Sequence, residues 1–128
     1  MILVAGGTGL LGAQVVELLR RRELEVRVLT RDRSRASRLV QVGAEVVEGD
    51  VGDRAAVRRA VEGVQTAVSA IHGFVGPRGV SPATVDRDGN HNLVQAARDA
   101  GVEHVVLLSV EAAPDHPMDQ MRMKYAAE

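Results

Sequence analysis

Apolar residues in this chain fall in short uninterrupted runs that alternate with stretches of helical period. Residues 2–5, Ile-Leu-Val-Ala, are continuous and apolar, the pattern of a strand covered on both faces. Between residues 10 and 19 the positions Leu11, Val15, Leu18 and Leu19 recur at helical spacing. Arg20, Arg21 and Arg22 follow, where cations complement the negative end of a helix dipole, and otherwise read as a solvated helix end. Residues 25–30 predict a second strand, 34–42 a second helix closed by Gly43, and 44–48 a third strand. Asp53 is a suitable N-cap for a third helix through Val61, with Gly63 just past its end. A fourth strand over 65–71, a Gly/Pro-bearing loop over 73–82 and a long helix over 85–100 closed by Gly101 come next. A fifth strand over 102–110 and a helical tail over 117–128 complete the pattern.

Strands alternating with helices at this spacing predict an α/β fold: a three-layer, Rossmann-like, doubly wound parallel sheet with right-handed crossovers and strand order 3-2-1-4-5. Ligands then belong at the carboxyl ends of the strands, where that order reverses. The 128 residues suffice for one domain, residues 1–128, by the prior of roughly 100–200 residues per domain.

The first strand runs directly into Gly6-Gly7-Thr8-Gly9-Leu10-Leu11-Gly12. Glycine costs roughly 0.5–1 kcal/mol relative to alanine in regular structure, so a cluster between strand and helix implies that something approaches the backbone closely. In a strand–helix–strand unit Gly6 permits the tight turn, Gly9 lets a pyrophosphate reach the helix start, and Gly12 lets helix and sheet pack closely. The amides of the turn and the positive dipole end would hold the anion. Thr8, Leu10 and Leu11 belong to the same candidate cofactor segment. The alternative is a glycine-rich turn in an unrelated α/β fold. A P-loop is excluded, because no Gly-Lys-Ser/Thr follows.

"AGGTGLLG", with GxxGxxG spacing, resembles the glycine motif of extended and atypical short-chain dehydrogenases/reductases. The second strand ends Leu29-Thr30-Arg31-Asp32-Arg33-Ser34-Arg35. An acidic residue there suits the ribose 2′-OH of NAD and an arginine the 2′-phosphate of NADP. Arg31, assisted by Arg35, points to NADP through paired charge-assisted hydrogen bonds. Asp32 competes and keeps NAD as the alternative. In the resemblance, Asp50 of "VVEGDVGD" matches the acidic residue at the adenine amino group, and Val51 adds a backbone and apolar contact. Read without it, Asp50 is a turn or capping residue. "AVSAIHG" matches the segment against the cofactor ribose, with Ser69, Ala70, Ile71 and His72 as candidates; His72 reads as a passive wall rather than a base.

"VDRDGNHNLVQAARDAGVEHVVLLSV" and "HPMDQMRMKYAAE" resemble the NmrA-like atypical short-chain dehydrogenases/reductases, also described as NAD(P)H-binding proteins, and the likeness covers nearly the whole chain. It implies catalytic roles for Ser109, which matches the hydroxyl that polarises a substrate carbonyl, and for Lys124, which matches the lysine at the nicotinamide ribose. Such a cation also lowers the pKa of a tyrosine acid one helical turn earlier. Here that position is Gln120, and Tyr125 follows the lysine instead. The bland alternative makes Ser109 a strand-end hydroxyl and Lys124 a surface helix residue. Other members continue with more strands and a substrate-covering region. This sequence stops at Glu128, which reads as a piece of a longer protein or as a fold completed by partner surface.

Composition narrows the partners. Net charge is −1 with 26% charged residues, giving no global pull towards nucleic acid or anionic lipid. Phe74 and Tyr125 are the only aromatics, too few for a base-stacking platform. Cysteine is absent, which excludes disulfides, a thiol nucleophile and a thiolate metal site; no metal site is read. No apolar run reaches the roughly 20 residues of a membrane span, and the expected location is cytoplasmic. The expected partners are a dinucleotide and a small-molecule acceptor, with a homo-oligomer allowed. Three functions follow: NADPH-dependent reduction of a small carbonyl or quinone-type acceptor, a non-catalytic NAD(P)-sensing regulator, or an assembly factor retaining the fold.

Overall fold

The computed structural model describes residues 1–73, 80–109 and 114–127. Its five strands are β1 (Ile2–Ala5), β2 (Val26–Thr30), β3 (Glu45–Glu48), β4 (Thr66–Ser69) and β5 (His104–Leu107). They form one parallel sheet in the order β3-β2-β1-β4-β5, with Val4 in register with Val28 on one side and Val68 on the other. The helices are α1 (Leu10–Arg21), α2 (Ser37–Gln41), α3 (Arg54–Val61), α4 (Asp88–Asp99) and α5 (Asp119–Tyr125).

Side chains alternate across β1 and build a core on each face. Leu3 and Ala5 join Leu29, Val57, Val61, Ala67 and Leu93 beneath α3 and α4. Val4 joins Val16, Val28 and Leu39 beneath α1 and α2. The continuous apolar runs of the inner strands follow from this double coverage.

Local hydrogen bonds move several predicted boundaries. The segment expected as one helix over 34–42 begins as a 3-10 turn, Arg33–Ala36, because Asp32 accepts hydrogen bonds from the amide and hydroxyl of Ser34. The long helix is preceded by a wide π-type turn, Ala83–Arg87. There the Asn90 side-chain amide donates to the Asp86 carbonyl at 2.6 Å, competing for an acceptor that α-helical geometry would give to a backbone amide. Strand β4 ends at Ser69 and β5 at Leu107, earlier than expected, because the chain leaves the ladder to line a cleft. Val110, part of the 73–82 loop and Glu128 lie outside the described residues. Arg20 is not merely solvated: its guanidinium donates to the carbonyls of Val42 at 3.0 Å and Leu24 at 2.7 Å, tying α1 to neighbouring turns. Among the described residues no helix is long and apolar enough to cross a membrane.

Candidate functional site

A cleft of about 620 Å³ opens at the carboxyl ends of the strands, within the range typical of cofactor sites. The glycine turn forms its floor. Gly6 has φ +80°, and a Cβ there would stand 2.5 Å from the Ala70 carbonyl oxygen. A Cβ on Gly12 would collide with the Gly6 carbonyl, so α1 can start this close to β1 only without a side chain. Gly9 is the N-cap of α1, no side chain caps that end, and its first turn holds no acidic residue. The amides of this first turn and the positive end of the dipole are therefore presented to the cleft. Thr8, Leu10 and Leu11 line the same floor, Leu10 being 87% exposed. The Thr8 hydroxyl lies 3.3 Å from that of Thr30, which joins the turn to the end of β2.

Beyond β2, Arg31 and Arg35 line the mouth. Asp32 also faces it, but its carboxylate accepts from the Ser34 hydroxyl at 2.6 Å and the Ser34 amide at 2.9 Å. Those bonds hold its carboxyl below the usual range. Arg31 Nε lies 3.9 Å from Asp50 Oδ2. Asp50 is both cleft wall and turn residue, since Oδ1 accepts the Gly52 amide at 2.7 Å. Val51 is buried beside it, with its carbonyl accepting from Asn92.

The far wall comes from the ends of β4 and β5 and from α5. Ala70, Ile71, His72, Ser109, Gln120 and Lys124 all line it. Ser69 does not, which corrects its place among the cofactor candidates. It pairs in register with Ala5, so it points beneath the sheet, where it is 1% exposed and its hydroxyl donates to Asn90 Oδ1. Lys124 is not a surface residue: it is 7% exposed. Tyr125 is 43% exposed and stands outside the cleft lining.

Sequence reasoning missed Asp86, which is fully buried, 2.9 Å from the Lys124 ammonium, and accepts the Gly73 amide at 2.9 Å. A signal existed. Asp86 and Asn90 share a helical face with Leu93 and Ala97, and a polar pair on an apolar face needs partners. Thr30, Gly49, Val85 and Met121 also line the cleft without having been singled out.

The donors present suit a dinucleotide: an uncapped helix start cleared of side chains for a diphosphate, and Arg31 at the mouth for a further phosphate. The profile of the NmrA-like family matches residues 1–125. The chain is 36% identical over 120 residues to the NAD(P)H azoreductase of Xenophilus azovorans, covering 92% of this chain and 38% of that protein. It is 32% identical over 131 residues to the photosystem II assembly factor Ycf39 of Trieres chinensis, covering 99% and 40%. The NADPH-dependent quinone oxidoreductase of Escherichia coli, solved with NADPH, superposes with a TM-score of 0.78 at 25% identity, covering 99% of this chain and 43% of that one. The chain thus spans about two fifths of the length of these relatives.

Proposed function

We propose, from the premise that this chain belongs to the NmrA-like family, that it binds NADPH in the cleft and forms the cofactor-binding part of a reductase for a small carbonyl or quinone-type acceptor. The carrying observation is the glycine turn, whose close backbone approaches leave the α1 start without a side-chain cap. Residues 6–12 would hold the pyrophosphate, Arg31 with Arg35 the 2′-phosphate, and Asp50 with Val51 the adenine. Ala70, Ile71 and His72 would lie along the ribose side. Ser109 would face the reacting end, with the fixed charge of Lys124 beside it. When bound, the nicotinamide supplies the hydride, and the protein supplies orientation and electrostatics.

NADPH is favoured over NADH because Arg31 is exposed at the mouth while the Asp32 carboxylate is engaged by Ser34. Replacing Arg31 by Glu should weaken NADPH binding by about tenfold or more, the scale of a hydrogen bond to a charged group, and leave NADH nearly unchanged. Calorimetric titration of both coenzymes decides it, and equal losses would remove the NADP assignment. A second reading, coenzyme binding without turnover, is favoured by Gln120 at the position of the usual tyrosine and by the relative named for an assembly role. Tight NADPH binding with no oxidation across a panel of quinones and aldehydes would select it.

A further inference from the structure

Lys124 is the only lysine in the sequence. Its ammonium lies 2.9 Å from Asp86 Oδ1 and donates to the carbonyl oxygens of Ile71 at 3.3 Å and Leu108 at 3.4 Å. Two of the ammonium's three N–H donors thus go to carbonyls, and Asp86 Oδ1, which has no hydrogen-bond partner of its own, faces the charge as its ion-pair partner. Asp86 has no exposed surface, and its Oδ2 accepts the Gly73 amide just after β4. The turn Ala83–Arg87 brings it there, fixed by Asn90, which donates to the Asp86 carbonyl and accepts from Ser69. One carboxylate therefore joins the end of β4, the turn before α4, and α5. On the cleft side of the junction His72 Nδ1 lies 3.9 Å from Asp86 Oδ1, and the Gln120 amide of α5 reaches the same ring nitrogen at 2.6 Å.

We propose that Asp86 is a positioning residue for the reacting end of the cleft: it neutralises and aims Lys124, and through that ion pair seats α5 so that Gln120 meets His72. Buried charge makes the arrangement all or nothing, since an ammonium left here without its carboxylate has no other counter-charge within 4 Å among the described residues. The kinetic consequence rests on the reductase reading above; the seating of Lys124 does not.

A single lysine makes the test direct. In 15N-lysine-labelled protein the side-chain ammonium gives one resonance, protected from water exchange in the wild type and lost in Asp86→Asn. The same variant should keep NADPH affinity within about threefold and lower kcat for NADPH oxidation by a benzoquinone probe about tenfold, with KM for NADPH little changed. In a Lys124→Met background, adding Asp86→Asn should change kcat by less than about twofold and raise the thermal midpoint, because it removes an orphaned carboxylate. An unchanged ammonium signal in Asp86→Asn would overturn the proposal. So would an equal kcat loss in both backgrounds, or a lowered thermal midpoint with kcat intact. Were the wild type to bind NADPH but oxidise it with no acceptor, the reductase reading would fail, and the ammonium signal and the stability cycle would still decide the role of Asp86.

Discussion

Strands β2 and β5 carry similar residues and lead different lives. In β2, Val26, Val28 and Leu29 are each at most 2% exposed, with β1 and β3 on either side and helices over both faces. In β5, Val105 is 40% and Val106 49% exposed, and β4 is the one strand paired with it among the described residues. The lesson is that an apolar run specifies a strand but not its cover. The half of the sheet beside the glycine turn is a finished two-sided core, whereas the half that ends in β5 is held in place by polar anchors such as Asp86 and Lys124.

The contrast can be attacked where the packed half is tightest. Gly12→Leu should cost about 3 kcal/mol or prevent folding, because overpacking here meets backbone rather than a yielding side chain; urea unfolding measures it, and NADPH binding should vanish with it. A matched pair probes the two strands directly. Val28→Ala should cost about 2 kcal/mol through a buried cavity, and Val106→Ala no more than about 0.5 kcal/mol as an exposed change. Equal costs would mean that β5 is covered in solution. The smallest effect lies at the cleft mouth. The folded-state pKa of Asp32 is depressed by Ser34, so its contribution to stability is complete above the unfolded carboxyl value of about 4. That contribution is lost as pH falls through the depressed value. Asp32→Asn should therefore lower the thermal midpoint at neutral pH, with the difference closing in acid; a difference constant with pH would remove the linkage.

Much of this was legible in the sequence because period and glycine placement report on the backbone. The alternation of strand and helix segments gave the sheet order and the carboxyl-end cleft, and the spacing of Gly6, Gly9 and Gly12 marked the turn at its floor. What escaped depended on side-chain direction. Ser69 sits inside a segment that does line the cleft, yet its register with Ala5 turns it beneath the sheet. Asp86 was not singled out, and its burial follows from a wide turn that no simple helical period anticipates. Lys124 was assigned to the site by resemblance, but its carboxylate partner lies 38 positions earlier in the chain, too distant for any local pattern to reveal.

The Thr8–Thr30 contact and the Gly6 approach to Ala70 root the glycine turn in β1, β2 and the segment just after β4, with no such anchor from β5 among the described residues. Under the reductase reading proposed above, a chain built this way could change its acceptor while keeping its hold on the coenzyme. On that reading, β5 and α5 are the flank where substitutions would test acceptor preference.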